Sequence, residues 1–253
     1  MKNDEFKIET IDNRVIKIPI NYSRLGIWEN YITYVRKAGF YQDIEKIYGC
    51  SNEEWIHRSS LASRMKMDIL HQNLTSLIEL REKQNSKTFK AVECGTGLGR
   101  SAMLISYLLN NGDFRNKTFD AYDTFEGLPP SSRNKGKYKE GSMKGSIEHI
   151  KKILKNYNFV YPIKGIIPES LPINDNNSYD FVHIDLDLYE GTYAALKHFV
   201  PRLNKNGIVQ LDDYNNLPWT GGHEAVDDYM NKKNKVKIYF VAIPLGGAFI
   251  LRI

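Results

Sequence analysis

The stretch FVHIDLDLYEGTYAALKHF, residues 181–199, sets two carboxylates, Asp185 and Asp187, directly after an apolar run. A second apolar run, GIVQLDDYNN, ends in Asp212 and Asp213. Burying an unpaired carboxylate is costly, so acids at the ends of such runs need a reason. If the two runs are neighbouring parallel strands, their tips lie about 5 Å apart and three or four carboxylates converge on one small volume. The group repels itself unless some members keep protons or a cation sits among them. With only hard oxygen ligands nearby, the matching ion is Mg²⁺, ahead of Mn²⁺ or Ca²⁺. Either pair alone reads equally well as helix caps or solvated acids.

Upstream, AVECGTGLGRS (residues 91–101) reads as a strand, a turn with Gly95, Gly97 and Gly99, and a helix. Glycines let the backbone bend sharply and let a ligand approach, and a helix start offers free N–H groups to an anion. The spacing is GxGxG rather than the GxGxxG of a dinucleotide fold. Glu93, just before the first glycine, would repel a pyrophosphate and attract an amino group. S-adenosylmethionine (SAM), with an α-amino group and a carboxylate, suits this turn better than NAD. About 20 residues on, FDAYDTFEGLP brings an acid to the end of a second strand, where α/β nucleotide sites bind ribose hydroxyls. Asp120 and Asp123 both compete; Asp123, at the tip, is preferred over mid-strand Asp120.

Of the six histidines, two are candidates for the site. His183 lies mid-strand and reads as packed. His223, opening the helix after Asp212 and Asp213, is a candidate to face the pocket as a catalytic group. Tyr189, Tyr214 and Trp219 are candidates to line an acceptor pocket, although such residues more often only pack.

The elements that must hold these residues alternate. From KTFKAVEC to GIVQLDD, strands are separated by helices such as RSAMLISYLLNN, and two final strands, VKIYFVAI and GAFILRI, form a hairpin. Continuous apolar strands alternating with helices predict an α/β fold with a mostly parallel sheet covered on both faces. The hairpin adds one antiparallel strand. Residues 52 to about 82 read as helical, residues 1–50 are mixed with RVIKIPI as a short strand, and residues 129–145 form a low-complexity loop. The expected division is a partly helical cap or lid over 1–85 and a core over 86–253.

Composition excludes little and suggests a quiet surface. Of 253 residues, 42% are apolar and 12% aromatic, enough for one sizeable core. The 35 Lys and Arg against 30 Asp and Glu give +5, with the lysines scattered, so no nucleic-acid footprint is expected. Cys50 and Cys94 read as reduced thiols rather than a disulfide framework. No apolar run approaches membrane-span length and no signal region opens the chain, so a soluble, cytoplasmic protein is expected.

Taken in order, VECGTGLGRSA, AYDTFEGLP, HIDLDLYEGTYAAL, GIVQLDDY and HEAVDDY resemble the TylF-type macrocin O-methyltransferases over roughly Leu61 to the C-terminus. The resemblance implies a Rossmann-like methyltransferase fold with a seven-stranded sheet. It also implies a SAM- and Mg²⁺-dependent enzyme acting on hydroxyls of sugars or related small polar metabolites. It assigns the metal to Asp185, Asp212 and Asp213, and gives Asp185 the acceptor's proton. It places SAM on Glu93, Cys94, Gly95, Thr96 and Gly97, on Asp123, Thr124 and Phe125, and near Ser60. Asp187 is left as a supporting or turn residue. The glycine turn here lacks the aromatic residue associated with the sugar enzymes, and HIDLD lacks a glycine between its acids, so the acceptor stays open. A phospho-compound of surface-polysaccharide assembly, a NAD-dependent dehydrogenase and a non-catalytic SAM-binding protein are the alternatives. An N-terminal aromatic region would suit a homodimer.

Overall fold

The structure, a computed structural model, describes residues 6–11, 14–19, 39–49, 61–133, 138–214, 220–232, 236–243 and 247–253. Two compact units divide the chain, Met1–Ser60 and Leu61–Ile253. The first holds an antiparallel hairpin of β1 (Phe6–Ile11) and β2 (Arg14–Pro19), in which Ile11 pairs with Arg14, and helix α1 (Gly39–Tyr48). The short strand expected in RVIKIPI is β2. The helix expected from residue 52 is described from Leu61 to Lys83, as α2, and it falls in the second unit rather than in the cap expected over 1–85.

The second unit carries a seven-stranded sheet. Its strands are β3 (Thr88–Cys94), β4 (Asn116–Asp123), β5 (Val160–Lys164), β6 (Tyr179–Ile184), β7 (Leu203–Leu211), β8 (Ile238–Ala242) and β9 (Ala248–Arg252), in the spatial order β5-β4-β3-β6-β7-β9-β8. All neighbours are parallel except the two pairs that β9 makes, so one strand runs against the rest, as expected from the terminal hairpin. All six residues of β6 are buried, as a strand covered on both faces requires.

Helices α3 (Arg100–Asn111), α4 (Ile147–Ile153), α5 (Tyr189–Phe199) and α6 (Thr220–Met230) follow β3, β4, β6 and β7. Pro201 sits in a 3₁₀ turn, Val200–Arg202, that follows α5. On α2, Leu70, Leu74 and Leu77 repeat at helical spacing and are almost wholly buried, each contributing roughly 1.5–3 kcal/mol. Between them Asn73 reaches Gln210 on β7 at 2.9 Å, so α2 covers the face to which Gln210 points.

The chain leaves β3 toward β4 on one side, while β6 lies on the other. This reversal of winding opens a crevice at the carboxyl ends of β3 and β6, the place where open parallel sheets bind ligands. Among the described residues no helix is long and apolar enough to cross a membrane.

Candidate active site

The glycine turn closes that crevice from below. Gly95 has φ 95°, and a Cβ there would stand 1.7 Å from the carbonyl oxygen of Asp185. Only glycine lets the β3 turn pass this close to the tip of β6. Gly95 and Thr96 donate their N–H groups to Tyr122 O at 2.8 and 3.2 Å, and Gly97 N–H donates to Asp123 Oδ2 at 2.7 Å. Phe125 N–H donates to Asp123 Oδ1 at 2.6 Å. Asp123, the last residue of β4, thus pins two turns with one carboxylate, and each oxygen keeps a further lone pair.

A cavity of about 450 Å³ sits above this floor. Gly95, Gly97, Asp123 and Thr124 line one side; Asp185 to Leu188, with Glu190 and Gly191, line another; Gly165 to Glu169, after β5, form a third. Leu128, Pro129, Pro130 and Met143 add a wall from the 129–145 loop. That loop is tied down. Leu128 N–H donates to Ser142 O, while Ser131 and Ser132 hydroxyls donate to the two oxygens of Glu190 at 2.8 Å. The Arg133 guanidinium lies 3.4 Å from the centre of the Tyr189 ring. The low-complexity loop thus forms part of the cavity wall.

Beside the cavity, one carboxylate oxygen from each of Asp185, Asp187 and Asp213 lies within 4.8 Å of the others. Burial raises Asp185 well above the usual carboxylate range, and the charges of Asp212, Asp213 and Asp187 push it further. Asp187 is pushed up to about 7 by burial and by Asp213 and Asp212. These shifts mark a group of acids too close together to be anionic without compensation.

The backbone is built to hold them there. Asp187 adopts φ 57°, a left-handed conformation uncommon outside glycine. Asp213 Oδ2 accepts from Asp187 N–H at 2.9 Å, and Gly222 N–H donates to Asp187 O at 3.1 Å. A Cβ on Gly222 would lie 2.8 Å from that of Asp213, and one on Gly221 would lie 2.9 Å from Tyr189 N. The glycine pair thus lets the start of α6 press on both acids. The sequence reading passed over this pair, although two glycines opening a helical pattern are a signal of close approach.

Asp212 stands apart from the three. Its Oδ2 is 2.5 Å from Lys66 Nζ on α2, and its Oδ1 is 4.0 Å from His183 Nε2. Burial alone would lower the pKa of Lys66, but Asp212, Asp213 and Asp185 outweigh it and raise it.

Residues 56–250 match the family described as Macrocin-O-methyltransferase (TylF). The chain belongs to the TylF family. It is 28% identical over 153 residues to a demethyldecarbamoylnovobiocin O-methyltransferase from Streptomyces niveus, over 56% of this chain and 58% of that protein. It is 27% identical over 154 residues to an 8-demethyl-8-(2,3-dimethoxy-alpha-L-rhamnosyl)-tetracenomycin-C 4'-O-methyltransferase from Streptomyces olivaceus, again over 56% and 58%. The chain thus spans well under two thirds of these curated relatives. Among solved structures, the O-methyltransferase NovP shares 23% identity at a TM-score of 0.61, over 72% of this chain and 78% of its own. The calicheamicin methyltransferase CalS11 shares 17% at the same TM-score, over 92% and 93%. The fold is the Rossmann-like methyltransferase fold.

Placed in this TylF-family chain, the residues singled out from sequence divide. Gly95, Gly97, Asp123, Thr124 and Asp185 line the cavity. Cys94 and Thr96 are buried and contribute through the backbone, Cys94 O accepting from Asp185 N–H at 2.8 Å. Phe125 is buried, at φ 54°, away from the main cavity. Glu93 does not face the turn. It is fully buried, and its Oε1 lies 3.0 Å from His183 Nδ1. The reason is strand parity. Glu93 pairs with His183, and His183 with Gln210, so all three point to the face under α2. Glu93 Oε2 and His183 Nε2 find no hydrogen-bond partner among the described residues.

Two further expectations shift. Of the acids expected to hold a metal, Asp185 and Asp213 come together, with Asp187 beside them and Asp212 turned to Lys66. His223 does not line the cavity; its Nε2 lies 3.1 Å from Asp227 Oδ2 on the next turn of α6, and its ring stacks on Tyr214. Tyr189 and Tyr214 likewise pack rather than line the cavity. Ser60 and Trp219 lie outside the described residues.

Proposed function

We propose that the protein is a SAM-dependent O-methyltransferase that methylates a hydroxyl of a sugar or related small polar metabolite in glycan, capsule or secondary-metabolite biosynthesis, assisted by Mg²⁺ or Mn²⁺. The observation that carries this reading is the meeting of a glycine-floored cavity with three converging carboxylates at one sheet edge. The family match supports methyl transfer, and the sugar-directed names of the relatives support the acceptor class.

The residues fit a hard divalent ion. Asp185, Asp187 and Asp213 offer oxygen donors alone, and their raised proton affinities at Asp185 and Asp187 reflect a charge that a cation would relieve. They would hold the ion; the family resemblance adds Asp212 to this set. When bound, such an ion lowers the pKa of an acceptor hydroxyl and orients it.

The chain's own residues do the rest. The flat turn at Gly95 and Gly97 leaves room for the sulfonium end of SAM, and Asp123 and Thr124 offer oxygens to its ribose. Asp185 lines the cavity, which puts its carboxylate where it can take the proton of the acceptor hydroxyl. The acceptor oxygen attacks the SAM methyl carbon, the carbon–sulfur bond breaks, S-adenosylhomocysteine leaves, and the proton ends on an Asp185 oxygen. The wall from Leu128 to Pro130 excludes water, and positioning supplies much of the acceleration.

The test is a methyl-transfer screen with labelled SAM over nucleotide sugars, glycosides and phospho-compounds, with Mg²⁺ and with EDTA. A methylated sugar hydroxyl that disappears with EDTA is expected. Tight SAM binding with no turnover on any hydroxylated acceptor would sink the enzyme reading in favour of a SAM-binding protein.

A further inference from the structure

We infer that Lys66 is a tethered counter-cation of the carboxylate cluster: it holds Asp212 while no divalent ion is present and yields Asp212 to the ion when one binds. The inference rests on the divalent-ion reading above and goes beyond it, because it assigns a role to a helix residue outside the glycine turn and the acidic motifs.

Geometry carries it. The Lys66 ammonium lies 2.5 Å from Asp212 Oδ2, and both side chains are largely buried, at 14% and 18% exposure. An ion pair this shielded is not a loose surface contact. The Asp212 backbone is fixed at the site, its N–H donating to Ile184 O at 2.9 Å. Its neighbour Asp213 points into the cluster and accepts from Asp187 N–H. Asp212 therefore stands next to a member of the cluster, and Lys66 holds its Oδ2. On its other side, His183 Nε2 waits 4.0 Å from Oδ1, with the ring anchored by Glu93.

This resolves a conflict between pattern and structure. The family pattern makes Asp212 a ligand with Asp185 and Asp213, whereas the structure converges Asp185, Asp187 and Asp213. Four acids crowd this edge, and Lys66 compensates one of them. An ammonium on a four-carbon stem can withdraw where a fixed backbone group cannot. A divalent ion entering the cluster competes with Lys66 for Asp212 and is repelled by it. Lys66 therefore weakens metal binding while supporting the metal-free fold.

The sign separates this role from a structural one. In calorimetric titrations with Mn²⁺ and Mg²⁺, Lys66→Met and Lys66→Gln should each bind the ion about tenfold tighter than the unmodified protein, the scale of changes just outside a ligand set. Metal-free, both should melt lower, and both should gain more melting temperature from metal. Lys66→Arg, which keeps the charge, should stay near the unmodified values. Should the Met variant fail to fold, the polar but uncharged Gln variant carries the test. If both neutral variants bind the ion equally or more weakly while Asp185→Asn still abolishes binding, the role of Lys66 is wrong and the metal site stands. If the unmodified protein binds neither ion, the metal reading falls and this inference falls with it.

Discussion

Acids stand at both ends of strand β6, buried at its amino end and half-buried just past its carboxyl end, and the two ends are built oppositely. At the amino end, Asp180 receives Arg81 Nε at 2.8 Å, Asn204 Nδ2 at 2.8 Å and the N–H of Lys90 at 2.9 Å. Just before it, Asp175 receives the Tyr179 hydroxyl and Asn177 and lies 2.8 Å from His198 Nε2. Burial works to raise Asp175, but these hydrogen bonds win and hold it at about 2. At the carboxyl end, Asp185, Asp187 and Asp213 face one another, and Asp185 and Asp187 are shifted upward. The difference teaches how to read a buried carboxylate. Surrounded by donors, it fastens the fold; surrounded by its own kind, it stores a demand for a ligand.

The largest expected effect is at the carboxyl end. Asp185→Asn should reduce methyl transfer by about 10³-fold, the scale of a lost general base. In the metal-free protein it should also raise the melting temperature, because it removes one of the repelling charges. A variant that loses both activity and stability would erase the contrast between the two ends. The opposite is expected of Arg81→Met, which strands the buried Asp180: about 3 kcal/mol of stability should be lost in denaturant unfolding, with methyl transfer per folded molecule retained.

A smaller effect sharpens the geometry. Gly222→Ala would place a Cβ 2.8 Å from that of Asp213 and push this acid off its hydrogen bond to Asp187. Divalent-ion affinity should fall by about tenfold in calorimetry; an unchanged affinity would mean that Asp213 is not held by α6. The smallest effect is in acid. Asp175 has a folded-state pKa of about 2, below its ordinary 3.8. Its stabilisation is therefore complete above the unfolded value and is lost as pH falls from about 4 through 2. Asp175→Asn should flatten the metal-free stability profile across that window.

Much of this was legible in the sequence, for physical reasons. The strand-then-acid pattern works because a parallel sheet must bury its strands and expose their carboxyl ends, which located Asp185 and Asp213. Helix Arg100–Asn111 was legible because apolar spacing and the preceding Gly99 agree. What escaped depended on parity and on distance along the chain. Glu93 lies one residue from the strand end, and only its register opposite His183 turns it inward. Lys66 meets Asp212 across 146 positions, and a single lysine in an amphipathic helix carries no signal of its partner. The closeness of Asp187 to Asp185 and Asp213 was not legible because it depends on a left-handed backbone that Asp213 and Gly222 hold.

The most direct measurement is anomalous diffraction from crystals soaked with Mn²⁺ and S-adenosylhomocysteine. A manganese peak among Asp185, Asp187 and Asp213, with the thioether in the cavity above Gly95 and Asp123, is the expected result. Manganese elsewhere, or a cavity that stays without the cofactor product at saturating concentration, would contradict the assignment of this sheet edge as the methyl-transfer site.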